Sequence, residues 1–527
     1  MTFGLRLERP TYPDLPQVVT NPLLAALSFA GGEKLDQGVL PKSRIMWSPR
    51  FGFNWDLHGD RSVQIRGGTG IFTGRVPYVW IVSQSGTNNM IQVTQAFNSI
   101  NSSTGLPSGI LAPGPFNPNP VAYRPAIVPA AGTSVNQSPT VIDPDFKNPQ
   151  SWKSSLAIDA KVPGGIIASL EGIFNKDLVT IFPRNPNLIT PQPMNIAGYP
   201  DNRLIYGATP QTRNINNLNG SFVPQTGGAV ALTPTVLDNG KRGYYFSLTA
   251  KLEKSFSKGL FASVAYVKSM AGNIHDGGGD QPNGVLSGTP TVNGTNFTPM
   301  GYSDFVMPDR VIGVFNYRKE YLKHLATTVS LIYSGSINGR FSYTYSGDIN
   351  RDGVTANDLI YIPRDARNPA EISFGTTNRT INGVVFTPAQ QAQVFEDYIN
   401  QDKYLRKHRG QYAERGGGQS PWLNRVDLKF MQDLFVKVGK NRNTIQFTAD
   451  ILNFGNLLNP KWGIIKSLNS SSILTATLPA GFTPGGTVPP TFALSLFNNQ
   501  VITKTFRDFI GVGSTYSVQF GLRYIFN

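Results

Sequence analysis

Hydrophobic and polar residues alternate with period two along much of the chain. The last segment is the clearest case. Tyr516, Val518, Phe520, Leu522, Tyr524 and Phe526 form one face, and Thr515, Ser517, Gln519, Gly521 and Arg523 form the other. An apolar, aromatic-ended face opposite a polar face is what a membrane-spanning β-strand requires. The opening residues follow the same rule, with Phe3, Leu5 and Leu7 against Thr2, Gly4, Arg6 and Glu8.

Between these ends the alternating segments come in pairs. Arg44–Leu57 and Ser62–Thr73 flank His58-Gly59-Asp60-Arg61, and Trp152–Val162 and Ile166–Asn175 flank Pro163-Gly164-Gly165. Tyr244–Lys254 and Leu260–Ser269 flank Ser255–Gly259, and Arg310–Tyr317 and Ala326–Tyr333 flank Arg318–Leu325. Arg425–Val436 and Thr444–Asn453 flank Lys437–Asn443. Gly, Pro and Asp supply the chemistry of short turns. Successive pairs are separated by long connections, about 10–43, 74–151, 176–243, 270–309, 334–424 and 454–513. Alternate short and long connections predict an all-β, antiparallel transmembrane barrel with about twelve strands present, short periplasmic turns and long extracellular loops. A soluble β-sandwich is the alternative from alternation alone, but such long loops are unusual there.

One connection carries helical signals. Thr387-Pro388-Ala389-Gln390 places a capping threonine, a first-turn proline and a glutamine that can close a capping box. Ala392, Phe395 and Ile399, with Val394 and Tyr398, make the apolar stripe, and a second short helix is expected over Asp402–Arg409, stopped by Gly410. The expected role is a loop helix packed on the barrel rim; a ligand-gating lid is the sharper alternative.

Composition narrows the picture. The 527 residues contain no cysteine, which excludes disulfides, thiol catalysis and cysteine-based zinc sites. No apolar run approaches the roughly 18 residues of a membrane-spanning helix, so a closed barrel is the membrane-spanning form left open. The formal charge is +15, but the basic residues are scattered and Lys403–Arg409 is the densest run. Solvated loops and a polar barrel wall account for this, and no nucleic-acid partner is expected. Met1 leads directly into an alternating segment without a secretory signal. The expectation is that processing removed the signal or that the chain is part of a longer protein.

The search for chemistry is mostly negative. His58, His275, His324 and His408 have no ligand-like spacing, and there is no nucleophile elbow or phosphate loop. The chain is therefore not read as an enzyme, and no organic cofactor is expected. Gly67-Gly68-Thr69-Gly70 ends an alternating strand without a following helix, which predicts close approach of plug or loop backbone rather than a nucleotide site. The best candidate is Asp348-Ile349-Asn350-Arg351-Asp352-Gly353, followed by Asn357 and Asp358. Oxygen ligands at positions one, three and five before a turn glycine form the first half of a calcium loop. The closing acid, Asp358, comes one residue early and is Asp rather than Glu. Calcium on Asp348, Asn350, Asp352 and Asp358 is one reading; an Asx-rich turn between Phe341–Tyr345 and Leu359–Ile362 is the other. Tyr78, Trp80, Tyr123, Tyr199, Tyr206, Trp422 and Trp462 lie in or beside the connections and are candidates for a ligand surface, or for belt and packing roles.

Several motifs carry a resemblance. Gln519-x-Gly521-x-x-Tyr524-x-Phe526 resembles the C-terminal sorting signal of bacterial outer-membrane barrels. Ala449-Asp450-Ile451-Leu452-Asn453-Phe454-Gly455-Asn456-Leu457-Leu458-Asn459 resembles the Asn-Leu-Phe-Asn element before the final strand of TonB-dependent receptors, with Gly455 intervening and Leu458 in place of the usual aromatic. Ser43–Phe53, Gly347–Pro363 and His408–Arg415 are similar to the Oar-like branch of that family, found in Bacteroidetes-type bacteria.

The resemblance implies an outer-membrane receptor of about 22 strands filled by an N-terminal plug that contacts TonB. It further implies that this chain is the C-terminal barrel portion, without plug. The implied partners are outer-membrane lipid, the missing barrel half and plug, the TonB complex through that plug, and an unidentified extracellular ligand. The alternative is a self-contained passive pore or adhesin of about twelve strands.

Overall fold

The computed structural model describes all residues except 13–15, 92–98, 101–106, 109–116, 125–129, 440 and 527. One sheet of fifteen strands dominates it, and twelve of those strands follow one another in chain order along a continuous path. They are β1 (Thr2–Glu8), β2 (Met46–Asp56), β3 (Val63–Thr73), β4 (Gln150–Val162), β5 (Ile166–Arg184) and β6 (Gly243–Ser255). The path continues through β7 (Leu260–Asn273), β8 (Asp309–Tyr321), β9 (Leu325–Ile337), β10 (Trp422–Val438), β11 (Asn441–Leu452) and β12 (Ser517–Phe526). Every neighbouring pair on the path is antiparallel.

The boundaries differ from those read off the alternation. β5 runs nine residues past Asn175 to Arg184, because its end pairs with a further strand, Thr235–Gly240, instead of β6. The turn between β8 and β9 shrinks to residues 322–324, with Leu322 and Lys323 both at positive φ. The last strand starts at Ser517, after a short 3-10 turn over Val512–Ser514.

Register fixes which residues share a face. Phe520 lies opposite Ala449, Leu522 opposite Phe447 and Tyr524 opposite Ile445, so these side chains form one apolar surface across β11 and β12. The row extends onto β10 through Phe430 and Leu434. Aromatic cross-strand neighbours recur on this face along the sheet: the Phe447 and Phe520 rings are 6.0 Å apart, Phe3 and Phe51 of β1 and β2 5.0 Å, and Trp152 and Phe174 of β4 and β5 5.9 Å. Such pairs stabilise a sheet by about 0.2–1 kcal/mol each.

The opposite face is polar and internally paired. Arg66 bridges Asp159 at 3.0 Å and Glu171 at 3.1 Å. Arg318 reaches Asp433 at 3.0 Å, whose other oxygen accepts from Gln446 Nε2 at 2.8 Å. The apolar face is the exposed one, with Phe520 at 69% and Leu522 at 78%, while Asp433 on the polar face is only 5% exposed. A sheet in water would bury the other face.

The Gly-rich stretch of β3 has a local cause. A Cβ at Gly67 would meet the Ser155 carbonyl and the Phe53 ring, and one at Gly70 would meet the Pro49 carbonyl and the Arg50 side chain. The close approach therefore comes from cross-strand neighbours of the sheet, where the sequence suggested plug or loop backbone.

The long connections are not separate loops. Leu24, Val135, Val141 and Leu218 share one core; Trp80, Ile142, Leu237 and Val285 share a second. Met194, Ile205 and Phe482 form a third. The largest core joins Tyr343, Leu359, Phe395 and Leu405 to Leu474 and Phe492. All six connections contribute to these cores. Because each joins strand ends opposite the short turns, the folded loop body gathers on one side of the sheet.

Candidate functional site

The Asp348 loop lies inside this loop body. Its turn is built from Asx hydrogen bonds: Asp348 Oδ1 accepts from Asp352 N at 3.0 Å, and Oδ2 from Gly353 N at 2.9 Å. Asn350 Oδ1 accepts from the same Asp352 N at 2.8 Å. Gly353 holds φ +94°, a conformation that favours glycine. Asp358 closes the loop by accepting from Ile349 N at 3.0 Å and from Asn350 Nδ2. The four residues singled out for calcium are thus brought into one compact turn.

The cations nearest these carboxylates are arginines from another connection. Arg213 Nη1 is 3.5 Å from Asp348 Oδ2, and Arg203 Nη1 is 3.6 Å from Asp358 Oδ1. Arg203 is fully buried, pairs with Asp201 at 3.0 Å and donates to the Leu359 carbonyl at 3.0 Å. The Tyr345 ring lies 5.2 Å and the Tyr412 ring 5.7 Å from its guanidinium. Asp352 instead accepts from Thr295 N at 2.8 Å, tying in a third connection. Among the described residues, no group of three or more His, Cys, Asp or Glu side chains is disposed to hold a metal ion.

Electrostatics at the loop follow from burial. Desolvation and the neighbouring Asp348 push the Asp352 carboxyl up to about 7. Desolvation raises Asp358 well above the usual carboxylate range despite Arg203, and raises Asp348 against the pull of the Gly353 N–H and Arg213. Burial thus favours the protonated form of all three carboxyls.

The expected helix forms over Pro388–Gln401. Thr387 Oγ1 accepts from Gln390 N at 3.2 Å, and Gln390 Oε1 accepts from Thr387 N at 2.8 Å. Ala392, Phe395, Tyr398 and Ile399 are buried, which makes the helix part of the loop-body core. The second helix covers Lys403–Lys407 only, capped by Asp402, whose Oδ2 also accepts from Tyr343 Oη at 2.6 Å.

The remaining candidates separate. His58 and His324 lie in short turns, His275 and His408 in the loop body. His275 Nε2 lies 2.8 Å from the Ile181 carbonyl and His408 Nδ1 2.8 Å from that of Tyr404. Trp80 and Tyr206 are buried, Tyr199 packs against a core, and Tyr78 and Trp462 are exposed. Trp422 donates to Asn424 Oδ1 at 2.8 Å at the start of β10. Tyr123 sits in the short 3-10 turn Pro120–Tyr123.

In β12, Gln519 and Gly521 share the polar face, and Tyr524 and Phe526 the apolar one; Tyr524 Oη donates to Asn443 Oδ1 at 2.6 Å. Asn453 adopts the left-handed conformation at φ 53° and its N donates to Asp427 Oδ1 at 2.7 Å, so the Asn-Phe-Gly-Asn stretch ends β11 with a sharp turn.

Sequence reading missed Asp201, Arg203 and Arg213. Two arginines and an aspartate in a polar connection carry no local signal; their meaning comes only from the partner loop.

A family model described as "Outer membrane beta barrel domain" matches residues 2–476. No curated protein matches. Among solved structures, the chain is similar to a mutant of the ferric enterobactin receptor PfeA from Pseudomonas aeruginosa, at 8% identity over 92% of this chain and 39% of that one, with TM-score 0.34. It is similar to the outer membrane transporter YddB from Escherichia coli at 10% identity over 79% and 37%, with TM-score 0.35. It is similar to the FrpB iron transporter from Neisseria meningitidis at 7% identity over 77% and 39%, with TM-score 0.25. The chain thus spans less than two fifths of the length of each.

Proposed function

The chain belongs to the outer membrane β-barrel domain family, and on that premise we propose that it is the barrel portion of a receptor and transporter of the TonB-dependent, Oar-like kind. In this reading the loop body binds a ligand outside the cell. Passage inward follows when the barrel is joined to its plug, through which TonB acts. The observation that carries the reading is the inverted sheet, apolar on its exposed face and polar on its paired face, with one folded body over the strand ends. Lipid on one side and a polar lumen on the other account for that inversion.

The sheet edges support a larger assembly. Among the described residues, β1 is paired with β2 alone and β12 with β11 alone. Each unpaired backbone group in lipid costs several kcal/mol. Further strands satisfy those groups in this reading.

The test is expression in an outer membrane with and without upstream barrel and plug sequence. The reading expects a heat-modifiable, membrane-embedded species and ligand uptake only with the plug present. A folded barrel that conducts freely by itself, in liposomes and without plug, would favour the passive pore instead.

A further inference from the structure

We propose that a cleft between connections 185–242, 274–308 and 338–421 binds an organic anion with an aromatic body; this rests on the reading of the loop body as ligand-binding. The cleft encloses about 650 Å³ and lies beyond the β5–β6 pairing, at the end of β5 and the start of β6. That volume falls within the range of about 300–1,000 Å³ typical of small-molecule sites.

Its mouth is cationic. Lys241 and Arg242 both line it, both are exposed, and among the described residues neither forms an ion pair or a side-chain hydrogen bond. Most other arginines of the loop body are committed: Arg184 to Glu33 and Asp238, Arg203 to Asp201, Arg415 to Asp276. Two adjacent cations without counter-ions at a concave site favour a negatively charged guest.

Three aromatic rings line the walls, and one of them is tied in place. Phe297 is 43% exposed, Phe182 faces the same space, and Tyr412 is fixed by donating to Asp201 Oδ1 at 3.0 Å. Asn293 Oδ1 accepts from Leu204 N at 3.0 Å, which leaves its amide N–H groups as donors. The Thr298 hydroxyl in the wall is buried and has no hydrogen-bond partner among the described residues. Buried polar atoms are ordinarily satisfied, so an orphan hydroxyl in a lined cleft fits a ligand contact. A ring-lined wall with two cations at its mouth matches a carboxylate or phosphate attached to a ring.

Phenyl phosphate is the probe, measured by calorimetry on the chain joined to upstream barrel and plug sequence, in nanodiscs, after heat-modifiability is confirmed. Inorganic phosphate tests charge alone and benzyl alcohol tests the ring alone. Phenyl phosphate should bind more tightly than either, and less tightly as salt rises. The double variant Lys241→Ala, Arg242→Ala should bind it about tenfold more weakly. Phe297→Ala should also weaken it, while Lys241→Arg with Arg242→Lys should retain it. Equal binding of benzyl alcohol, or unchanged affinity in the alanine double variant, would overturn the inference. Tighter binding of short-chain phosphatidic acid than of phenyl phosphate would also overturn it, by assigning the cleft to a lipid headgroup. Those outcomes leave the barrel reading intact; failure to form a heat-modifiable species even when joined to upstream barrel and plug sequence would sink that reading and this inference with it.

Discussion

The sheet and the loop body obey opposite burial rules. In β11 and β12, Phe447, Phe520 and Leu522 are exposed, while Asp433 and Thr444 beside them are buried. In the loop body, Leu474, Phe395 and Ile399 are buried, as in any protein folded in water. One chain thus carries two folding logics, and the boundary between them follows the strand ends. The difference teaches that side-chain burial here reports which solvent each region meets.

Substitutions can break that contrast. The largest effect is expected at Arg203. Arg203→Ala leaves Asp201 and Asp358 buried without their cation, a loss of about 3–5 kcal/mol. Limited proteolysis should then cut the loop body while the membrane-embedded strands stay protected. Uniform digestion of both regions would argue that they do not fold as distinct bodies.

Next comes the facing of the last strand. Phe520→Arg puts a charge on the apolar face and should cost about 2–4 kcal/mol near the bilayer midplane. Gln519→Arg, on the polar face, should cost much less. Denaturant titration in lipid vesicles compares them, and equal costs would refute the assigned faces.

A pH effect should be confined to the loop body. The Asp352 carboxyl sits at about 7 when folded, against an ordinary 3.8. A group that keeps its proton longer in the folded state adds stability at low pH and loses it as pH climbs between those two values. The loop body should therefore weaken from about pH 4 to pH 7, and Asp352→Asn should flatten the profile. We further propose that calcium binds at Asp348, Asn350, Asp352 and Asp358 above that range, where burial no longer keeps Asp352 protonated. Calorimetric titration, with Asp352→Ala as control, tests it; no heat from the parent protein removes calcium from the account.

The smallest effect is at the helix cap. Thr387→Ala removes the bond to Gln390 N and should cost about 1 kcal/mol, seen as a small fall in the melting temperature of the loop body. A fall as large as that of Arg203→Ala would mean the helix start does more than cap.

Much of the sheet was legible beforehand because its signal is local. Period-two alternation in Tyr244–Leu252 or Val518–Phe526 needs no knowledge of partners. The capping box at Thr387 and Gln390 was legible for the same reason. The end of β5 was not, since residues past Asn175 pair with Thr235–Gly240 from far along the chain. Nor was the Gly67–Gly70 packing, which depends on Phe53 and Arg50 of the neighbouring strand. At the candidate site the carboxylates were visible as a motif, but Arg203 and Arg213 were not.

By itself the sequence determined the strands, their antiparallel order and the side on which the long connections emerge. Each of these depends on spacing within a few residues or on the parity of connections. Tertiary structure alone decided that the connections fold into one body, that buried arginines face the Asp348 loop, and that Lys241 and Arg242 stand at a cleft without a partner among the described residues. Those outcomes depend on which distant segments meet when apolar side chains leave water, and no local pattern encodes such meetings.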